Sequence, residues 1–335
     1  MRSWMLPAES DSYQKLHLKD LPQPEPGPGE VLIRLKAWSI NYRDFAVASG
    51  NYFGGKLKEA AIPLSDGAGE VAALGEGVTR FAEGDRVQSA FFTDWDDGLP
   101  RSSPALGDGH GPGMLAEYVV LPETAVVPMA ESLSFAEAAC LPCAGVTAWN
   151  CLLEGNRPLQ PGDKVLVLGT GGVSILALQI ARAAGATVIA TSSSDAKLEK
   201  VKALGAHHTI NYKSTPEWGS YVQQEFGGVD KIVEVGGTGT LGQSFQALGM
   251  NGEIGLIGVL THGDPPDPHA LMMSAGTLRG IFVGSGAMAR KLNATIDANA
   301  ITPVIGKRFA FDDAIAAYDH AAGAHSFAKT IIEFS

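Results

Sequence analysis

The sequence predicts an α/β fold. A doubly wound parallel sheet carries crossover helices, and a second, β-rich domain is entered by the chain from both sides of it. Three observations predict this. Residues 145–283 alternate strand and helix patterns. Residues 1–144 read as short strands divided by Gly- and Pro-rich turns. The tail, 284–335, adds two helical stretches and a final strand near Thr330-Ile331-Ile332 with no second glycine fingerprint, so it is expected to return to the first domain. The expected division is 1–144 with 284–335, and 145–283.

The first strands follow from local chemistry. Pro22-Gln23-Pro24-Glu25-Pro26-Gly27-Pro28-Gly29 cannot be helical, because each proline removes a donor and fixes φ. It delivers the chain into Glu30–Lys36, which alternates with a strand period. Gly69–Leu74 and Asp85–Ala90 are further strand candidates, and Thr93–Gly113 reads as a long Gly-, Asp- and Pro-rich loop. Beyond residue 145, Val165–Leu168 is a continuous apolar run, as a strand buried on both faces requires. A helix over Val173–Ala184 follows. Thr187–Ala190 (strand), Ala196–Leu204 (helix) and His208–Asn211 (strand) continue the rhythm. Lys231–Val235, a helix at Thr240–Leu248, Glu253–Ile257 and Leu278–Val283 complete six strands.

Composition narrows the function. With Lys plus Arg at 25 and Asp plus Glu at 36 of 335 residues, the net charge is −11, which disfavours nucleic acid or an anionic membrane as the main partner. An apolar fraction of 45% supports sizeable cores. Three cysteines make neither a disulfide framework nor an all-cysteine zinc cage. Met1–Asp11 has no apolar signal region, and the longest apolar stretches, near 165–190 and 252–260, are broken by glycines. A cytoplasmic protein is expected.

The strongest chemical signal is Gly169-Thr170-Gly171-Gly172-Val173-Ser174, which follows a strand and opens a helix. The first glycine makes the turn, the second admits a pyrophosphate, and the helix N-terminus supplies amides and partial positive charge. The third glycine position holds Ser174. At the end of the second strand an NAD site would place an acid for the ribose hydroxyl. Here stand Thr191-Ser192-Ser193-Ser194, with Asp195 expected as a helix cap, Lys197 in the first turn and Tyr212 ending the next strand. Hydroxyls plus a cation suit a 2′-phosphate, so Ser192, Ser193, Lys197 and Tyr212 point to NADPH, with NADH as the alternative.

These residues, together with Pro26-Gly27-Pro28-Gly29-Glu30-Val31, Asp66-Gly67-Ala68-Gly69-Glu70-Val71, Gly84-Asp85-Arg86-Val87 and Leu141-Pro142-Cys143-Ala144-Gly145-Val146-Thr147-Ala148, carry a family pattern. Over nearly its whole length the chain resembles the medium-chain dehydrogenase/reductase superfamily, and within it the zinc-independent quinone oxidoreductase and enoyl reductase branch. The resemblance implies a Rossmann domain inserted in a discontinuous GroES-like catalytic domain, a cleft between them where nicotinamide meets substrate, and a homodimer pairing Leu278–Val283. In zinc alcohol dehydrogenases a Cys, a Gly-His-Glu segment and a later Cys hold the catalytic metal. Here Asn41 and Ser65 stand at the first two positions, and Cys143 alone matches. Asp66 matches the acid after the histidine, and no cysteine lies between Ser89 and Gly113 for a structural zinc. No zinc is expected, and Cys143 reads as a small buried residue. His207 and His208 are adjacent and make no ligand pair.

Without a Lewis acid, an acceptor with its own electron sink is favoured: a quinone, an α,β-unsaturated ketone or an enoyl thioester. The expected function is NADPH-dependent hydride transfer to a small hydrophobic substrate of this kind. The alternatives are an NAD(P)-dependent alcohol or aldehyde dehydrogenase, and an NADPH-binding protein with little catalysis. The resemblance places Asn41 near the nicotinamide and makes Tyr52 a proton donor, with a pocket wall as its other reading; Tyr42 is a weaker candidate. It also implies cofactor contacts from Thr147, Gly236, Val259, Leu260, Phe282 and Val283. Phe53, Phe91, Phe92 and Trp95 are candidates for a substrate pocket or for core and lid. Asp44 is expected to organise local hydrogen bonds, and Arg43 to be an exposed ion-pairing residue.

Overall fold

A computed structural model describes residues 1–100, 104–258 and 260–334. The chain forms two compact units, 1–146 with 284–335, and 147–283.

In the second unit, six parallel strands run Lys164–Leu168, Thr187–Ser192, His208–Asn211, Val229–Glu234, Leu248–Leu256 and Thr277–Gly280. Numbered in chain order, they lie side by side as 3-2-1-4-5-6. The order reverses beside the first strand, which is where such sheets bind dinucleotides. The core gathers Leu166, Ile189, Ile210, Ile232 and Ile254 from successive strands, with Trp218, Val222 and Phe245 from the helices. Covering both faces is what allows these strands to be apolar without alternation.

Several boundaries differ from expectation. The helix after the second strand spans Asp195–Ala203, and its cap is Ser194, whose hydroxyl accepts the Lys197 amide. Asp195 instead accepts a hydrogen bond from Asn211 Nδ2 at 2.6 Å. Tyr212 lies one residue past the third strand. The helix expected at Thr240–Leu248 runs Thr238–Ala247, and Leu248 opens the next strand. The sixth strand stops at Gly280, so Phe282 and Val283 lie beyond it. The reason is local. Ile281 N still bonds Leu256 O at 2.9 Å, but Val283 then turns to a positive φ of 52° and its carbonyl accepts from Asn150 Nδ2.

The first unit is built on the long strand Glu30–Ile40, which pairs antiparallel with Asp66–Leu74, Tyr118–Pro122 and Lys329–Glu333. Ile305–Ala310, Arg86–Ser89 and Val126–Pro128 extend the sheet. Register shifts after Leu32 and Leu35 let one strand serve several partners. The core packs Leu35, Trp38, Leu64, Val87, Leu115 and Phe311. The segment Tyr42–Ala48 follows as a short helix.

Candidate active site

In the unit 147–283, the turn after the first strand leaves open space before a helix. Gly169 has φ +74°, a conformation that side chains rarely adopt, and its amide bonds Thr191 O at 3.0 Å. Gly171 precedes the helix Gly172–Ala183, and a Cβ built there would meet nothing within 4 Å. The first helical amides, beginning at Gly172 and Val173, have no intrahelical acceptor. Thr170 is buried beside them. The serine at the third fingerprint position is explained: Ser174 Oγ donates to Leu168 O at 2.6 Å, so a hydroxyl fits the tight helix–strand packing.

At the tip of the second strand, Ser192 is buried and Ser193 half-buried, with no acid in the strand. Lys197 is half-buried, and burial, then neighbouring Lys200, lowers its pKa. Tyr212 is exposed, and its amide bonds Ser192 O at 3.1 Å. The two loops beyond the fourth and fifth strands are tied together by groups that the sequence reading missed. Buried Glu234 accepts from the amides of Gly236 at 2.8 Å and Gly237 at 3.1 Å, from Thr240 Oγ1 at 2.6 Å and from Ser244. Thr261 donates twice to Gly236 O. A side chain at Gly236 would strike Thr240 Oγ1. The available signal was an acid at the end of an apolar strand run, just before two glycines. Thr147 is buried on the helix Val146–Leu153. Leu260 and Phe282 are exposed apolar side chains, and Val283 is buried. Val259 lies outside the described residues.

In the unit 1–146 with 284–335, a buried charged cluster gathers around Asn41. Asp66 is fully buried and accepts from Ser65 Oγ at 2.8 Å and Ser39 Oγ at 3.2 Å. Lys329, 3% exposed, donates to Ile40 O at 2.9 Å and to Asn41 Oδ1 at 2.5 Å, and lies 3.9 Å from Asp66 Oδ2. Asp44 Oδ2 accepts the Asn41 amide at 2.7 Å. Burial pushes the Asp44 carboxyl up to about 6, against the opposing pull of Arg43. Asp44 thus organises hydrogen bonds, and Arg43 ion-pairs with it at 3.6 Å but is buried, which corrects the expected exposure. Its guanidinium sits 4.7 Å from the Tyr52 ring centroid and 4.9 Å from that of Phe91, and donates to Leu106 O at 2.8 Å. Aromatic faces and a carbonyl replace water around it.

Tyr52 is half-buried. Burial raises its pKa while Arg43 works to lower it, so the phenol keeps its proton at neutral pH. Tyr42 is exposed on the first turn of its helix. Phe53 is exposed and leans on Tyr52 at 4.9 Å, whereas Phe91, Phe92 and Trp95 are buried and packed in series. Trp95 is pinned in its loop, where Nε1 donates to Gly98 O and its carbonyl accepts from the Gly286 amide. These three pack against one another in the loop, and Phe53 lies against Tyr52.

The donors at the three zinc-ligand positions can now be tested. The Asn41 oxygen is taken by an ammonium, and the Ser65 hydroxyl donates to Asp66. Half-buried Cys143 keeps a thiol that burial holds well above its ordinary pKa. An amide, a hydroxyl and one protonated thiol do not fit zinc, which takes anionic or imidazole ligands. Among the described residues no group of three His, Cys, Asp or Glu could hold a metal ion. His207 and His208 are both exposed. No helix among the described residues is long and apolar enough to cross a membrane.

Comparison with known proteins gives the class. A zinc-binding dehydrogenase family model matches residues 172–298, and an alcohol dehydrogenase GroES-like domain model matches residues 27–131. The chain belongs to the medium-chain dehydrogenase/reductase superfamily and is an NAD(P)H-dependent oxidoreductase. A zinc-type alcohol dehydrogenase-like protein of Schizosaccharomyces pombe is 47% identical over 304 residues, covering 88% of this chain and 87% of its own. A 2-methylene-furan-3-one reductase of Solanum lycopersicum is 31% identical over 307 residues, covering 90% and 71%. A crystal structure of a candidate alcohol dehydrogenase from Sinorhizobium meliloti 1021 superposes with a TM-score of 0.89 at 39% identity, covering 100% of both chains.

Proposed function

We propose that this chain transfers hydride from NADPH to a quinone or an α,β-unsaturated carbonyl without zinc. The observation that carries the reading is the donor set at Asn41, Ser65 and Cys143, where an amide oxygen is already bound to Lys329. With no group there to act as a Lewis acid ligand set, the acceptor must delocalise the incoming charge itself. The tomato relative, a 2-methylene-furan-3-one reductase, supports that class of acceptor.

The cofactor would rest on the Gly169–Val173 turn, with its 2′-phosphate toward Ser192, Ser193, Lys197 and Tyr212. Thr147, Gly236, Leu260, Phe282 and Val283 are the proposed contacts along the rest of it. When bound, the nicotinamide supplies the hydride. The chain's own part is to hold the acceptor oxygen, through Asn41, and to return a proton. Tyr52 suits that second task because burial keeps its phenol protonated.

A second reading, alcohol or aldehyde oxidoreduction, is supported by the similarity to the fission yeast alcohol dehydrogenase-like protein and the Sinorhizobium candidate alcohol dehydrogenase. Steady-state oxidation of NADPH and NADH against quinones, enones, enoyl thioesters and aldehydes separates the two, with metal analysis of the purified protein beside it. Turnover of quinones or enones with NADPH and no stoichiometric zinc is expected. Zinc at one per chain with aldehyde turnover would replace the first reading by the second, and tight NADPH binding with no turnover would replace both. Tyr52→Phe with unchanged turnover would remove the proton-donor role. The reading includes a homodimer formed along the edge strand Thr277–Gly280, which sedimentation tests.

A further inference from the structure

We infer that Lys329 is a positioning residue that fixes the orientation of the Asn41 side-chain amide, so that Asn41 Nδ2 is the donor presented to the oxygen gaining charge during reduction. The inference deepens the proposed function and rests on it only in the identity of the acceptor.

An ammonium has three N–H donors and no acceptor. The three directions around Lys329 Nζ are accounted for by Ile40 O at 2.9 Å, Asn41 Oδ1 at 2.5 Å and, more distantly, Asp66 Oδ2 at 3.9 Å. Whatever else the Asn41 amide could face, it cannot turn its NH2 toward this group, because donor would meet donor. The oxygen is therefore directed at Lys329 and the nitrogen away from it. Asn41 Nδ2 is buried and has no hydrogen-bond partner among the described residues. Burying an unpartnered amide hydrogen costs stability unless something else uses it. Asn41 is also held at its backbone, where its amide donates to Asp44 Oδ2 at 2.7 Å. Both ends of the residue are thus anchored by buried charged groups, leaving Nδ2 as the uncommitted donor. Asp66 offsets the ammonium's charge from 3.9 Å and is itself fixed by Ser39 and Ser65, so the cation does not need the substrate as its counter-ion. An oriented donor of this kind acts most where charge develops in the transition state.

The test is a double-mutant cycle on the intact protein with Lys329→Met, Asn41→Ala and the double variant. It is read as kcat and as cofactor affinity by nucleotide fluorescence, with thermal melts run alongside. Asn41→Ala is expected to lower kcat about 100-fold, as loss of one transition-state donor does. Lys329→Met is expected to lower it about tenfold or more, and the double variant to be no slower than Asn41→Ala. Cofactor affinity should change much less than kcat, since neither residue lies in the glycine turn. Lys329→Arg keeps donors only and should recover activity over Lys329→Met. If Lys329→Met fails to fold, Asn41→Asp decides: it strengthens the pairing with Lys329 but deletes the amide donor, so kcat should fall with no loss of melting temperature. Additive effects in the cycle, or full kcat in Asn41→Asp, would overturn the inference. Should aldehydes prove to be the substrates, the acceptor reading fails while the cycle, run on the aldehyde, still tests the amide's orientation.

Discussion

Lys231 Nζ and Glu253 Oε1 lie 2.6 Å apart, both sealed inside the unit that carries the glycine turn. Arg279 reaches the same Glu253 oxygen at 3.2 Å and bonds the carbonyls of Asn150, Cys151 and Glu154. One carboxylate thus joins the fourth, fifth and sixth strands to the helix Val146–Leu153. Removing Lys231 leaves Glu253 still paired with Arg279, whereas removing Glu253 leaves the buried Lys231 without a carboxylate. Glu253→Leu should destabilise this unit by about 3 kcal/mol, and Glu253→Leu with Lys231→Met by clearly less, in urea melts followed by tryptophan fluorescence. Equal losses would mean the pair does not act as a unit.

The glycine turn gives a substitution that separates folding from binding. A side chain at Gly171 meets no protein atom within 4 Å, so Gly171→Val should keep the melting temperature near that of the wild type. The same side chain fills the space proposed for a pyrophosphate, so KM for the cofactor should rise at least about tenfold. Gly169→Ala should behave in the opposite way, costing about 1 kcal/mol through its positive φ with a smaller effect on affinity.

Cofactor preference is tested at the end of the second strand. Ser193→Asp places a carboxylate where the 2′-phosphate is proposed to sit. NADPH turnover should fall about tenfold or more relative to NADH, measured as the ratio of kcat/KM values. Ser194→Ala is the control, because Ser194 caps the following helix. It should cost about 1 kcal/mol of stability and leave the ratio unchanged. Faster wild-type turnover with NADH would defeat the assignment.

Asp44 makes stability depend on pH. Its folded pKa, about 6, lies above the ordinary carboxylate value, so the folded state holds this proton more tightly than the unfolded chain. The associated stabilisation is complete below about pH 4 and lost as pH rises through about 6, on the order of 3 kcal/mol in all. Asp44→Asn keeps an acceptor for the Asn41 amide and never ionises. The difference in stability between Asp44→Asn and wild type should therefore shift in favour of the variant between pH 4 and pH 8. A difference that is flat across that range would exclude Asp44 as the titrating group.

The parallel sheet was readable because burial on both faces writes itself into sequence as apolar runs, and because a glycine turn sits at a fixed place in such a sheet. Ends were harder to read. Val283 looks like strand by composition, but its positive φ and the bond from Asn150 are tertiary effects with no local signature. Asn41, Tyr52 and Asp44 could be picked out by motif, whereas the charged surroundings that orient them could not. Arg43 looked like a surface cation until Tyr52, Phe91 and the Leu106 carbonyl were seen around it. Lys329 heads an apolar strand, which was a usable hint, but its partners stand at Asn41 and Asp66, far away in sequence. Phe91, Phe92 and Trp95 pack in series, an arrangement that no local pattern announces.

The pairing of Lys329–Glu333 with the strand Glu30–Ile40 sets an order of events during synthesis. The bond from Lys329 Nζ to Ile40 O closes across 289 positions, while the unit 147–283 needs no residue from either flank to complete its sheet. On the ribosome, the nucleotide-binding half can finish while the long strand of the other half still lacks a neighbour. The exposed edge left in that interval is a hazard for misassembly. The Asn41 side-chain amide acquires its partner last, when the lysine arrives, so on the proposed role of Asn41 partly synthesised chains should bind nucleotide before they can turn over substrate.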